Sequence, residues 1–375
     1  MSSYPSRSRA NQKNASGKGA AVATIVDVAR QAGVSISTVS RVLNGVTSVD
    51  PVLAAKVGRA AKQLSYSPNR VARSLRLRQN RVWALVISDI RTGVFFADVV
   101  RGVEDGAYEA GYSMFLCNAD EDPSKEAEYL QLAVAENVAG VILMPADPTT
   151  DLSPLLDTAI PVVLVDRKLP GTQADTVVGD NIAGGTQVVE HLLANGYRRI
   201  ACVSGPLTTT TGSERLLGYR MALEQAGLAV DDALIRVADF REEGGRRATE
   251  ELIAQGPRPD AVFVTNNRMT AGALEAIEGA NLAVPDDIAV VGYDELSWAP
   301  LLRTALTTIS QPAYDLGHES ARLLLSRLDG YSGPARTVVL TTSLNVRASS
   351  APRQRADSDS PSRAGAATAS AAPRQ

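Results

Sequence analysis

Charged and amide side chains stand where short aliphatic runs stop. Asp89, Asp166 with Arg167, Asn266 and Asp294 each follow such a run. Acid, amide and guanidinium groups each make paired hydrogen bonds to neighbouring hydroxyls. The set therefore suits a small polyhydroxylated ligand. Phe95 and Phe96 are two of only five phenylalanines, and a pair of rings suits the flat apolar face of a sugar. Each residue also has a plainer reading: the phenylalanines as core, the aspartates as strand-end caps. Nearer the N-terminus, Ile36, Ser37, Ser40 and Arg41 share one side of a helical repeat whose other side carries Val39 and Val42. Arginine pairs bidentately with guanine, serine adapts to either base edge, and isoleucine packs on a thymine methyl. This is the chemistry of recognition. A nucleophile beside a base, a metal-ligand set and a GxGxxG turn after the first strand are all missing, so we expect no catalytic residue, no metal and no cofactor. The thiols of Cys117 and Cys202 sit in apolar runs and read as buried and free. His191 and His318 are the only histidines.

The elements that must position these groups fall into two textures. From residue 83 onward, apolar runs alternate with amphipathic stretches. The runs are 83–90, 113–118, 140–145, 162–166, 177–179, 200–204, 235–237, 261–265 and 288–293; the helical stretches are 95–111, 123–137, 181–195, 212–227, 243–255, 268–280 and 314–329. Fully apolar strands alternating with helices imply parallel sheets covered on both faces. Nine strands are many for one such unit, so two α/β lobes are expected. In open parallel sheets, ligands sit at the carboxyl ends of strands, which is where Asp89, Asp166, Asn266 and Asp294 stand.

Residues 23–68 carry only helical patterning. Ile25, Val28, Ala29 and Ala32 share a face, Gly33 supplies the positive φ of a tight turn, and Ser35 is placed to cap a second helix holding Val39 and Val42. A third helix begins at Pro51 with Asp50 as its cap. That is helix-turn-helix spacing. Charge agrees: residues 1–80 hold 13 basic side chains against Asp27 and Asp50, a formal +11, which leaves −14 on the rest to reach the chain's net −3. A basic head on an acidic body points to a polyanionic partner for the head alone. Residues 1–22 and 348–375 are Ser-, Ala- and Gly- or Pro-rich, and read as disordered. No apolar run reaches membrane-spanning length and no signal peptide is apparent, so a cytoplasmic, nucleoid-associated location is expected.

The motifs TIVDVARQAGVSISTVSRVLNG (24–45) and YSPNRVARSLR (66–76) resemble the lac repressor family of bacterial transcription regulators. The resemblance implies a hinge helix within 69–81 that folds on DNA as a pair from two subunits. Leu75 matches the leucine that wedges into the minor groove, and Thr24, Ser35, Thr38, Asn44 and Tyr66 match phosphate-contacting positions. It continues through VLVDRKLP (163–170), DNIAGG (180–185), VTNNRMTAGAL (264–274) and VPDDIAVVGYDE (284–295), and implies a type I periplasmic-binding-protein-like body over 82–347. Lobe one would then hold 82–180 and 312–332, lobe two 181–310 and 336–347, with crossings near Asp180, Ser310 and Gly333. By similarity to pentose-binding members, the ligand set is Phe95, Phe96, Asp166, Arg167, Arg215, Asn266, Asp294 and Gln311, with Phe240 lending an aromatic. Two departures bear on the ligand. Gly93 and Val94 replace the usual Asn-Pro, removing a polar contact expected for ribose. The Thr208–Thr211 run replaces a longer polar side chain of nucleobase-binding relatives. The expectation is a repressor binding a palindromic operator as a homodimer, controlled by a sugar between the lobes. Two readings compete with it: control of the same fold by a partner protein or non-sugar metabolite, and, remotely, a sugar-metabolising enzyme.

Overall fold

The computed structural model describes residues 23–43, 49–66 and 80–353. The chain divides after Gln79 into two units, each described on its own. Asn44, Leu75 and the expected hinge lie outside the described residues, as do residues 1–22.

The head contains α1 (Ile25–Ala32), α2 (Ile36–Leu43) and α3 (Pro51–Gln63). Thr24 starts α1 with a capping box. Its hydroxyl accepts from Asp27 N, and Asp27 Oδ2 accepts from Thr24 N at 2.9 Å. Gly33 ends the helix at φ 66°, and its N–H reaches back to Ala29 O and Arg30 O. A β-carbon at that φ would be strained, which is why the turn carries glycine. Asp50 caps α3 through Val52 N at 2.7 Å, with Pro51 in the first turn. Val28, Ala29, Val39, Val57, Ala60 and Ala61 form the buried centre, with Ile25, Val34, Val42 and Leu64 packed around it.

The body opens with β1 (Val82–Ile87), α4 (Val94–Glu109), β2 (Ser113–Asn118), α5 (Pro123–Ala135), β3 (Gly140–Leu143), α6 (Ser153–Asp157), β4 (Val162–Val165) and β5 (Asp175–Gly179). It then crosses over to α7 (Asn181–Ala194), β6 (Ile200–Ser204), α8 (Thr210–Gln225), β7 (Ile235–Val237), α9 (Glu242–Ala254), β8 (Ala261–Val264), α10 (Asn267–Gly279), β9 (Ala289–Tyr293) and β10 (Thr307–Ser310). The last elements are α11 (Ala313–Leu328), β11 (Thr337–Leu340) and β12 (Ser343–Asn345).

Two six-stranded sheets result, ordered β11-β5-β4-β3-β1-β2 and β12-β10-β9-β8-β6-β7. The first is parallel throughout. The second is parallel except for β12, which runs antiparallel to β10. Strand alternation sorts each sheet into two cores. Trp83, Leu85 and Ile87 face α4 and α11, while Ala84 and Val86 face α5 and α6. In the second sheet Cys202 and Phe263 face α7 and α8, while Val203 and Val264 face α9 and α10.

Three expectations need correction. The strand pattern stopped at Tyr293, whereas three short strands follow. The third crossing lies at 341–342, not near Gly333: β11 pairs in parallel with β5, and its Val338 and Leu340 pack on the first core. Lobe two therefore does not begin again at 336; only β12 returns to it. Finally, residues 348–353, expected to be disordered, are ordered, while 354–375 lie outside the described residues. Ala348–Ser350 form a 3₁₀ turn with both serines buried. Ser349 Oγ accepts from Thr307 N and donates to Val290 O, and Arg353 N donates to Asn195 O. A Ser/Ala composition reading misses this because the anchoring comes from polar bonds rather than apolar burial. No helix among the described residues is long and apolar enough to cross a membrane.

Candidate functional site

In the head, α2 presents Ile36, Ser37 and Arg41 as exposed side chains, with Ser40 and Thr38 half-buried. Ser35 accepts from Thr38 N at 3.2 Å, so it caps α2. Its hydroxyl also bonds those of Ser37 and Thr38 at 2.8 and 2.9 Å. Thr24 is exposed, and Tyr66 packs against the head core.

In the body, a narrow recess lies where the two lobes face each other. Asp89, Phe95, Phe96, Glu121, Asp166 and Arg167 line it from the first lobe. Thr211, Arg215, Asp239, Phe240, Arg241, Asn266 and Asp294 line it from the second. Eight of the nine ligand residues expected from resemblance thus come together. The ninth, Gln311, does not line the recess. It sits at the second crossing, where its Nε2 donates to Asp294 Oδ1 at 2.6 Å; its contact is with a lining residue instead. The expected list lacked Asp89, Glu121, Thr211, Asp239 and Arg241. Asp89 carried the strand-end signal, and Thr211 belongs to the hydroxyl run. Glu121, Asp239 and Arg241 lie in turns without apolar patterning, where one sequence offers no signal.

The strand-end aspartates are held in unusual backbone geometry. Asp166 follows β4 at φ 66° and Asp294 follows β9 at φ 68°, while Phe240 has φ 59°. Such left-handed conformations cost a non-glycine residue roughly 1–2 kcal/mol. All three side chains line the recess. Gly205 is needed opposite Phe240, because a β-carbon there would stand 2.0 Å from the ring. Phe95 and Phe96 meet edge to face, 5.1 Å apart. They serve both the first core and the recess wall.

The charged groups are deeply committed. Arg215 donates from Nε to Asn181 Oδ1 and from Nη1 to Thr265 O, both at 2.8 Å. Its guanidinium lies 3.7 Å over the Tyr293 ring and 3.8 Å from Asp294 Oδ2. Arg167 grips Glu121 with two bonds, at 2.8 and 2.6 Å, and donates to Pro145 O. It also crosses to the second lobe, 5.3 Å over Phe240. Among the lining residues two buried atoms are left over: Asp166 Oδ1 and Arg167 Nε have no hydrogen-bond partner. Burial pushes Asp166 up to about 6. Arg215 and Arg167 oppose the rise, while Asp294 and Glu121 add to it. Asp294 is raised by burial against the pull of Arg215 and Gln311. Further contacts join the lobes. Arg268 Nη1 meets Asp89 Oδ2 at 3.1 Å, Lys168 Nζ meets Glu214 at 2.7 Å, and Lys168 N donates to Thr210 Oγ1.

A helix-turn-helix unit preceding a two-lobed α/β body with a charged inter-lobe recess is the plan of a DNA-binding regulator with a ligand-sensing domain. Known proteins agree. Residues 24–69 match the model for bacterial regulatory proteins of the lacI family, and residues 189–350 match the periplasmic binding protein-like domain. The ribose operon repressor of Escherichia coli (strain K12) is 37% identical over 331 residues, covering 88% of this chain and 100% of that one. Among solved structures, the lac repressor dimer bound to operator and the anti-inducer ONPF gives a TM-score of 0.80 at 29% identity, over 88% of this chain and 99% of that one. The complex of transcriptional regulator CelR with cellobiose gives 0.67 at 36% identity, over 87% and 99%. The chain belongs to the lacI family of bacterial regulatory proteins and is a DNA-binding transcriptional regulator.

Proposed function

We propose that this chain is a cytoplasmic repressor without enzymatic activity, which binds a palindromic operator as a homodimer and is controlled by a sugar held between its lobes. Residues 23–68 read DNA, with Ile36, Ser37, Ser40 and Arg41 toward base edges, and Thr24, Ser35, Thr38, Asn44 and Tyr66 toward phosphates. Residues 69–76 form the hinge helix, with Leu75 as its wedge, and a linker runs to residue 81. Residues 82–347 sense the effector. The observation that carries the effector reading is the recess itself. It combines a ring pair, buried acids and guanidiniums from both lobes, and leaves one acceptor and one donor unpaired. The relatives' names agree with it: one is a ribose operon repressor and another is seen with cellobiose.

A ligand that touches both lobes favours their closed arrangement by its differential affinity for that state. The hinge segments of the two subunits follow the first lobes, so effector and operator affinities are coupled reciprocally, typically by ~1–3 kcal/mol. The test is a thermal-shift screen against pentoses, hexoses, sugar phosphates, polyols and nucleobases. A ligand at about a hundred times its Kd stabilises the fold by ~2.7 kcal/mol. One responding sugar, whose effect is lost in Arg215→Ala and Asp294→Ala, supports the reading. Operator binding intact with no response to any sugar refutes it.

A further inference from the structure

We propose that Glu121 makes the recess selective for uncharged polyhydroxyl ligands and closes it to phosphorylated ones. The inference rests on the sugar reading above and narrows it. Five carboxylates and three guanidiniums line the recess, and Arg91 and Arg268 offset Asp89 from outside the lining, so no cation is in excess for an arriving anion. The arginine best placed to receive a phosphate is Arg167, which is buried beside the aromatic wall. Glu121 occupies it with a bidentate pair at 2.8 and 2.6 Å, the same fork a phosphate would use. Arg215 is likewise held, by Asn181 and the Thr265 carbonyl. Arg241 stays exposed at the rim beside Asp239.

The placement of Glu121 is built into the fold. Asp120 and Glu121 both adopt left-handed backbone, at φ 58° and 56°. Glu121 N donates to Ser88 O at 2.6 Å, tying the turn to the end of β1. Arg91, paired with both Asp89 and Asp120, holds the preceding residue. Two consecutive non-glycine residues in this region are strained, and the strain delivers the Glu121 carboxylate to Arg167.

The atoms left over specify the ligand's chemistry. Asp166 and Arg167 are 5% and 6% exposed, and Asp166 Oδ1 and Arg167 Nε have no partner. The first needs a donor and the second an acceptor. A hydroxyl supplies both, donating its proton to the carboxylate while its oxygen accepts from Nε. A phosphate dianion supplies acceptors only, and leaves Asp166 facing another anion.

The test is calorimetric titration of the full-length protein with D-ribose and D-glucose and with their 5- and 6-phosphates, each ester also competed against its parent. A parent sugar is expected to bind roughly a hundredfold more tightly than its ester. Glu121→Gln frees Arg167 and is expected to narrow that ratio by about tenfold, whereas Glu121→Asp keeps the charge and the discrimination. An ester that binds wild type as tightly as its parent overturns the inference while leaving the sugar reading standing. A ratio unmoved by Glu121→Gln overturns the role of Glu121. Absence of binding by these sugars and esters, together with no response in the wider sugar screen above, overturns the sugar reading and this inference with it. The comparison within wild type does not depend on any variant folding.

Discussion

Two aspartates at opposite ends of adjacent parallel strands, each among arginines, behave in opposite ways. Asp175 opens β5 with its side chain fully buried, and every approach to it is a hydrogen bond. Arg327 donates through Nε and Nη2 at 2.9 and 2.8 Å, and Arg336 through its backbone N and Nη2 at 2.7 and 2.6 Å. Tyr331 lies between the guanidiniums, which stand 4.8 and 4.1 Å over its ring. Burial alone would raise this acid, but the arginine bonds hold it well below the usual carboxylate range. Asp166 closes β4 with a nearer tally of charges and the reverse result. Arg167 Nε stands 3.9 Å from its Oδ2, its other oxygen has no partner, and burial raises it to about 6. A structural cluster is satisfied within the chain, whereas the recess keeps its needs for a visitor. Strained backbone and perturbed acids concentrate at the second kind of place.

Breaking the satisfied cluster should give the largest effect. Asp175→Asn strands two arginines and loosens the turn that leads β11 back to β5. Because both guanidiniums keep some access to water, we expect a loss of about 3 kcal/mol, the low end for a broken buried pair. Urea unfolding measures it. The acid side gives a second reading. A lowered pKa contributes stability above the ordinary carboxylate value, and that contribution disappears as pH falls through the folded value. Wild type should therefore lose this share in acid below about pH 4, and the variant should lack that part of the slope.

Asp166→Asn should do the opposite. A carboxyl raised from 3.8 to about 6 favours the fold when protonated. Its cost is absent below about pH 4, grows between 4 and 6, and is complete above 6, amounting to at most about 3 kcal/mol. The unliganded variant should thus match or exceed wild type at pH 7.5, with the advantage vanishing by pH 4. Its sugar-induced thermal shift should shrink, since an amide offers one neutral acceptor and an NH2 donor where the carboxylate offered two charged acceptors. Destabilisation at pH 7.5 would put Asp166 in the same class as Asp175.

How much of this contrast could be read in advance varies by element. Strands β1 to β9 announced themselves as aliphatic runs, because sheets covered on both faces need apolar residues throughout. Strands β10 to β12 did not. Thr307–Ser310 is mostly hydroxylic, and its buried threonines are satisfied by Ser349, Ser350 and Glu295 instead. The two-residue link between β11 and β12 joins different sheets, which no local pattern encodes. In the recess, Asp166, Arg215 and Asp294 were recoverable from strand ends and from resemblance. Glu121 was not, since its position depends on two left-handed residues that carry no glycine to mark them. Asp175 was equally hidden: only the fold brings Arg327 and Arg336 to it.

Arg41 offers a third case, a charge whose intended partner lies outside the protein. It is exposed on α2, so removing it should leave urea stability unchanged within ~0.5 kcal/mol. Operator affinity should fall by ~1–3 kcal/mol if it pairs with a base edge, and specificity should relax at one position of each half-site. Thr24→Ala, at a proposed phosphate contact, should weaken all sequences alike. Both measurements need fixed salt, because affinity for a polyanion falls steeply as ionic strength rises.

The smallest effect tests the boundary between the two classes. Arg268 pairs with Asp89 across the lobes, with side chains 19% and 5% exposed. Asp89 also accepts from Arg91 N and Nε at 2.9 and 3.2 Å, so losing Arg268 does not strand it. The pair therefore acts on closure, not on folding, and being partly exposed it is worth ~1 kcal/mol at most. Arg268→Ala should weaken the sugar about fivefold at low salt, with the difference shrinking as salt screens the wild-type pair. Its urea midpoint should stay put. A midpoint that falls as it does for Asp175→Asn would mean that this pair belongs to the satisfied architecture, and that the lobes are joined by structure rather than by the ligand.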